Sequence, residues 1–221
     1  MFLTEPAFSG IVLTAQTFNP SIFTEPWLAE NGIIPAGSFE GLRVFSPQVA
    51  QFQTCTIQVL VVPPKMQIIF PLTASEGDAE LACKIAERTV QLLPQTPYQA
   101  LGLNFDYFVP PPEGHDFLAF DRALLGDGNY PLIPEFAAAD ARFGRYFSKD
   151  HEGGGLKLDI KPVKAGPEDK DLLQFSFNFH YEVSRLSLSE RPGNLLRHIG
   201  SYPEVRRYAE HLVESGSRPA S

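Results

Sequence analysis

The chain has 221 residues, of which 43% are hydrophobic and 20% are charged. These proportions exclude a disordered chain, because enough apolar surface is available to offset the entropy lost on folding. The formal net charge of −8 argues against general nucleic-acid binding, since an acidic surface repels phosphate groups.

The sequence also argues against a membrane or secreted protein. No stretch approaches the roughly 20 apolar residues of a membrane span, and residues 1–6 lack the positive region of a signal peptide. The two cysteines, Cys55 and Cys83, lie in apolar stretches and form no disulfide framework. We therefore expect a soluble, cytoplasmic protein with reduced, buried thiols and no membrane association.

The first half of the chain predicts strands interrupted by two helices. The first helix runs from Asn19-Pro20 to Asn31-Gly32, where Asn caps and Pro opens it. The second begins at Ser75, which forms a capping box with Asp78, and Pro94 ends it after about 17 residues. Apolar and β-branched runs predict strands at 10–18, 42–45, 49–62, 66–72 and 98–109.

The second half again predicts strands and helices, after Pro110-Pro111-Pro112, which marks the mid-chain boundary. We predict one globular domain over 1–221, with two lobes at 1–112 and 113–221 as an alternative. A short helix is expected at 116–125, and a final helix begins at Ser201, whose spacing from Glu204 is that of a capping box. The predicted strands are 142–148, 156–163 and 171–188, with a turn at 151–155.

The strands alternate apolar and polar residues, which indicates a sheet with one buried face. The predicted class is therefore α+β, with largely antiparallel β-meanders packed by helices. Leu103–Tyr107 resembles Phe177–Tyr181 in its aromatic alternation. Two similar halves would explain this echo, and so would the ordinary pattern of half-buried strands.

The order of elements resembles a scattered bacterial protein family of unknown function. The resemblance rests on Ala100–Tyr107, the helix Phe120–Leu125, the segment Pro131–Pro134, and the final helix around Tyr208–Val213. The family usually carries an Arg-Tyr pair where this chain has Asn104-Phe105. The resemblance implies an outline of the fold and no particular activity.

Four residues are candidates for catalysis. His180 and Glu182 are two apart on one strand and point the same way, and Asp159 lies on the preceding strand. Together with Asp106 they would bind a divalent metal or act as a general base if their strand faces converge in one cleft. The alternative is a solvent-facing polar sheet surface.

Three further residues are candidates for ligand binding, all in connections. His115 and Asp116 follow the triple proline, where they would equally start a helix. His151 begins a segment with three consecutive glycines, which can approach a phosphate closely. No Lys-Ser/Thr follows the glycines, so a hairpin turn is the alternative.

The chain lacks a Gly-x-Ser-x-Gly elbow, a His-Glu-x-x-His pair and a Cys-x-x-Cys pair. We expect no cofactor and predict a non-catalytic interaction or assembly module of a bacterial complex, with a protein partner or self-association. Aromatic anchors are expected around 108–112 and 130–136. The alternative is a metal-assisted hydrolase or a small-ligand-binding protein.

Overall fold

The structure is a computed structural model, and it describes residues 7–126, 134, 138–165 and 169–217. The strands in these ranges are β1 (Phe8–Ala15), β2 (Glu40–Phe45), β3 (Ala50–Gln53), β4 (Gln58–Val62), β5 (Lys65–Pro71), β6 (Tyr98–Val109), β7 (Arg145–His151), β8 (Gly154–Ala165) and β9 (Lys170–Glu182). The helices are α1 (Glu25–Glu30), α2 (Glu76–Leu92), α3 (Phe117–Leu125), α4 (Arg191–Gly200) and α5 (Tyr202–Gly216).

The nine strands of the described residues form one sheet with the order β2-β3-β4-β5-β1-β6-β9-β8-β7. Every neighbouring pair is antiparallel. This confirms the predicted α+β class of antiparallel meanders packed by helices. β6, which has the predicted bounds, pairs with β1 at the centre of the sheet.

The helices pack on one face of this sheet, and the alternation of β6 and β9 shows why. The residues of both strands that face the helices are at most 2% exposed: Leu101, Leu103, Phe105, Tyr107, Phe175, Phe177, Phe179 and Tyr181. The ring of Tyr202 in α5 lies 5.5 Å from that of Phe105, and His198 in α4 stacks on Tyr181 at 3.9 Å. The opposite face carries no helix in the described part of the chain.

The order of elements repeats along the chain. β1, α1, the meander β2–β5 and α2 are followed by β6, α3, the meander β7–β9 and then α4 and α5. Outward from the centre, the sheet reads β1-β5-β4-β3-β2 on one side and β6-β9-β8-β7 on the other. The topology is thus nearly two-fold symmetric, with one extra strand in the first half. The repeat starts at Tyr98, and the division into lobes at residue 112 stays a prediction.

The aromatic echo does not mark equivalent positions in this repeat. Leu103–Tyr107 and Phe177–Tyr181 lie on the neighbouring strands β6 and β9, where Phe105 is opposite Phe177 and Leu103 is opposite Phe179. Both segments have the same pattern because they bury the same face of the sheet.

Two predicted strands run on through turns. The strand at 49–62 is broken by a turn, in which the Thr54 N–H donates to the Ile57 carbonyl at 2.9 Å and the Ile57 N–H donates to Thr54 Oγ1 at 3.2 Å. The strand at 171–188 ends at Glu182, whose carboxylate accepts the Ser184 N–H at 3.0 Å. In both places a polar side chain at the turn satisfies a nearby backbone N–H, so that this group does not continue the ladder.

The predicted helix ends are partly correct. Ser75 and Asp78 form the capping box of α2, with reciprocal hydrogen bonds of 3.2 and 3.0 Å. The box at Ser201 is wrong: its hydroxyl donates to the His198 carbonyl at 2.9 Å, because α4, which we did not predict, ends directly before α5. The helix at 19–31 is a 3₁₀ turn, Pro20–Ile22, followed by α1.

The predicted turn at 151–155 is a two-residue hairpin loop between β7 and β8. Glu152 and Gly153 both have positive φ, 47° and 80°, as a type I′ turn requires. The next glycine is packed tightly: a Cβ at Gly154 would lie 2.5 Å from the His180 carbonyl oxygen and 2.6 Å from the Tyr181 ring. A Cβ at Gly155 would meet nothing within 4 Å.

We expect Gly154→Ala to lower the free energy of unfolding by about 1–3 kcal/mol, because the new methyl group overpacks the contact between β8 and β9. Gly155→Ala is the matched control and should be neutral or slightly stabilising, since alanine has less freedom in the unfolded chain. Urea unfolding followed by circular dichroism measures both, and equal effects of the two substitutions would contradict this packing.

Candidate functional site

The four predicted catalytic residues lie on the helix-free face of the sheet. Asp106 on β6 is opposite Ser176 on β9, which is opposite Asp159 on β8. His180 lies further along β9, and its Nε2 is 3.5 Å from Oε2 of Glu182. The side chains of His180 and Glu182 are 46% and 45% exposed, so this pair lies on an open surface.

The local contacts of these residues are those of a polar sheet surface. Asp106 accepts hydrogen bonds from Ser176 Oγ and, at 3.2 Å, from Gln174 Nε2. Asp159 pairs with Lys161 at 3.0 Å. A hydrogen bond from Ser184 is the main reason why the pKa of Glu182 is below its usual value.

A shallow depression of about 380 Å³ lies on the helix-free face. It is lined by Phe8, Ser9, Gly10, Val12, Gln67, Ile69, Asn104 and Asp106. Of the four catalytic candidates, only Asp106 contributes to its wall. Across the described ranges, no group of three or more His, Cys, Asp or Glu side chains is placed to hold a metal ion.

The three ligand-binding candidates lie apart from one another. Asp116 caps α3, where its carboxylate accepts the Ala119 N–H at 3.0 Å. His115 Nδ1 is 3.2 Å from the carbonyl oxygen of Glu113. His151 ends β7 and stacks on Tyr208 of α5, with ring centroids 4.8 Å apart and planes 6° from parallel. A ligand role for them stays a prediction.

The described edge of the sheet at β7 is regular and exposed. Six of its seven residues are exposed, among them Tyr146 at 60% and Phe147 at 49%. β7 pairs with β8 without a register shift, and β8 is its one neighbour among the described strands. In a two-residue hairpin the flanking residues, His151 and Gly154, exchange both hydrogen bonds. Further along the two strands, hydrogen-bonded residue pairs alternate with non-hydrogen-bonded pairs. The backbone groups of Tyr146, Ser148 and Asp150 therefore point away from the sheet.

The opposite edge, β2, is irregular. Its register with β3 shifts between Glu40 and Val44, and Gly41 has a φ of 60°. Arg43 on this strand pairs with Glu25 at 3.0 Å. Irregularity of this kind protects an edge strand from pairing with another chain, and β7 lacks it.

An apolar cleft of about 540 Å³ lies beside β7 on the helix-covered face. Its floor is formed by β8 and β9 and its walls by α3, α5 and β7. The lining residues are Leu124, Leu125, Arg145, Phe147, Ser148, Lys149, Leu156, Leu158, Ile160, Phe175, Tyr208, Leu212, Ser215 and Gly216. No local pattern in the sequence predicts this cleft, because its residues come from five separate elements. The predicted anchors at 130–136 lie outside the described residues apart from Pro134.

A buried carboxylate joins α3 to the start of β7. Asp121 is fully buried, and its Oδ2 accepts the Phe143 N–H at 2.8 Å. Oδ1 has no hydrogen-bond partner within the described structure. Removal from water is the main cause that raises the pKa of Asp121, and the Phe143 hydrogen bond and two nearby arginines oppose it.

We expect Asp121→Asn to change the pH dependence of stability. Because the folded pKa of Asp121 is raised, its favourable contribution is complete below the usual value of 3.8 and is lost as the pH rises through the folded pKa. The Asn variant should lack this loss while it keeps an oxygen for the Phe143 N–H. Urea unfolding at several pH values tests this, and parallel curves for the two proteins would contradict it.

The two cysteines differ in environment. Cys55 is exposed, so the prediction of a buried thiol is wrong there, since it lies in the turn that interrupts the predicted strand. Cys83 on α2 is half-buried, and burial, together with Glu87 and Glu80, raises its pKa to about 12. Such a thiol is protonated at neutral pH and is a poor nucleophile.

We therefore expect a disulfide reagent to modify one thiol rapidly at pH 8, because Cys55 is accessible and Cys83 is held as the thiol. Absorbance of the released chromophore measures the two phases. Cys55→Ser should remove the fast phase, and a fast phase that persists in this variant would contradict the assignment.

No known family model matches the chain, and no curated protein matches it. The resemblance suggested by the order of elements therefore stays a prediction. Among the described residues, no helix is both long and apolar enough to cross a membrane.

Proposed function

We propose that the protein is a non-catalytic assembly module that pairs with a second copy of itself through edge strand β7. The observation that carries this proposal is the regular, exposed edge of β7, beside an opposite edge that is irregular. A free, regular edge strand presents backbone donors and acceptors in the spacing that another strand needs.

The outward backbone groups set the geometry of such a pair. Tyr146, Ser148 and Asp150 each offer one N–H and one carbonyl group to an added strand. An antiparallel copy centred on Ser148 uses all three residues of both strands. Tyr146 then lies opposite the partner's Asp150, and Ser148 lies opposite the partner's Ser148, so the two sheets continue with their helices on the same side.

The side chains of β7 favour this register over its neighbours. With Ser148 at the centre, Phe147 is opposite the partner's Lys149, and Arg145 is opposite the partner's His151. A shift by two residues in one direction places Arg145 opposite the partner's Lys149, and a shift in the other direction places Lys149 opposite the partner's Lys149. Like charges that face each other across strands are destabilising, so the centred register is the self-complementary one.

The expected association is weak. One strand pair buries less surface than a permanent interface, and each copy carries a net charge of −8. Salt screens this repulsion, so dimerisation should strengthen from low to physiological ionic strength. The alternative of a metal-assisted hydrolase or a ligand site around His180 has less support, since the described carboxylates there are spread over an open surface.

Ser148→Pro should abolish dimerisation, because proline removes the outward N–H at the centre of the pair and leaves the β7–β8 hydrogen bonds intact. Ser148→Ala is the matched control and should dimerise like the wild type. Sedimentation velocity over a range of concentrations measures the association. A wild-type protein that stays monomeric at all concentrations, or a Ser148→Pro variant that still dimerises, would overturn the proposal.

Cross-linking tests the register separately. In a Cys55→Ser background, Ser148→Cys should form an intermolecular disulfide under mild oxidation, since hydrogen-bonded antiparallel pairs hold their Cα atoms about 5.5 Å apart. Lys157→Cys, on β8 and away from the edge, is the control and should remain monomeric on non-reducing gels. Equal cross-linking at both positions would contradict the centred register.

A further inference from the structure

The cleft beside β7 has the size and lining of a small-molecule site. Its volume of about 540 Å³ lies within the roughly 300–1,000 Å³ of typical ligand pockets. The floor is part of the core: Leu156, Leu158 and Ile160 are 4%, 9% and 5% exposed. Leu124 of α3 and Leu212 of α5 contribute to its walls.

Two cationic side chains line this otherwise apolar cleft, on a chain with a net charge of −8. Lys149 Nζ donates to the Tyr208 hydroxyl at 2.7 Å and lies 5.1 Å from the centre of its ring. No carboxylate of the described residues forms an ion pair with Lys149. Arg145 donates to the Leu125 carbonyl at 3.4 Å, and this bond ties β7 to the end of α3.

We propose that this cleft binds an amphipathic carboxylate, with its aliphatic chain between α3 and α5 and its anionic group at Lys149. The apolar walls take up the chain, and Lys149 supplies the positive charge that the described structure leaves without an ion pair. Tyr208 lies within hydrogen-bonding distance of the same ammonium group, so its hydroxyl is available to the same anion. A hydrogen bond between a carboxylate and an ammonium group is stronger than one between neutral groups.

This site adjoins the dimer edge, and the two depend on different groups. The edge forms its hydrogen bonds with the outward backbone of Tyr146, Ser148 and Asp150. The cleft binds through side chains that point towards the helices, and Lys149, its anion-binding group, faces the partner's Phe147 in the centred register. The monomeric Ser148→Pro variant should therefore bind the carboxylate as the wild type does, and the two proposals can fail independently.

The probe is dodecanoate, titrated below its micelle concentration by isothermal titration calorimetry. We expect saturable binding at one site per chain and no comparable binding of dodecyltrimethylammonium, which has the same chain and the opposite charge. Lys149→Gln should weaken dodecanoate binding about ten-fold, as expected for the loss of one charge-assisted hydrogen bond. Lys157→Gln removes an equal charge on the opposite face and is the matched control.

A second variant tests the apolar part. Leu212→Glu places a carboxylate in the wall and should abolish dodecanoate binding, and circular dichroism shows whether the fold is kept. The proposal is overturned if the wild type does not bind dodecanoate, or if it binds dodecanoate and dodecyltrimethylammonium equally. It is also overturned if Lys149→Gln and Lys157→Gln bind dodecanoate with the same affinity. Retained binding in a folded Leu212→Glu variant would also exclude this cleft.

Discussion

Tyr202 ties the last helix to the centre of the sheet, where β1 of the first half pairs with β6 of the second. Its hydroxyl shares a 2.8 Å hydrogen bond with Ser9 of β1, and its ring contacts Phe70 of β5 and Phe105 of β6 at 6.0 and 5.5 Å. Burial raises the pKa of this tyrosine to about 12. One side chain at the start of α5 thus joins the last helix to the central strands of both halves.

The position of α5 explains where the sheet is left uncovered. α4 and α5 pack on β6 and β9, and α2 packs on β1 and β5, so the helical layer is centred on the middle of the sheet. The outer strand β7 extends beyond this layer, and between α3 and α5 the floor of β8 is open. The exposed edge and the apolar cleft are therefore two results of one arrangement, in which five helices are too few to cover a sheet of nine strands in the described chain.

The polar face of the sheet is organised by hydrogen bonds between neighbouring strands. Asn178 Nδ2 donates to Asn104 Oδ1 at 2.6 Å, next to the bonds that Ser176 and Gln174 make to Asp106. These bonds run across the strands and satisfy the side chains of the middle rows within the sheet itself. Side chains that satisfy one another in this way stabilise a surface, whereas a catalytic group needs an accessible cleft and a free proton position.

The sequence by itself determined those elements whose signals are local. The alternation of β6, the capping box of α2 and the hairpin turn within 151–155 depend only on neighbouring residues, and all three are in the structure. Sequence-based prediction failed at the Thr54 turn, since an apolar run does not show where a strand turns. It also missed α4. The tertiary structure alone decided which strands lie at the centre and which at the edge, because strand order depends on contacts between residues far apart in the chain. The exposed edge at β7 and the cleft beside it follow from that order. So does the lack, among the described residues, of a third metal-binding side chain beside His180 and Glu182.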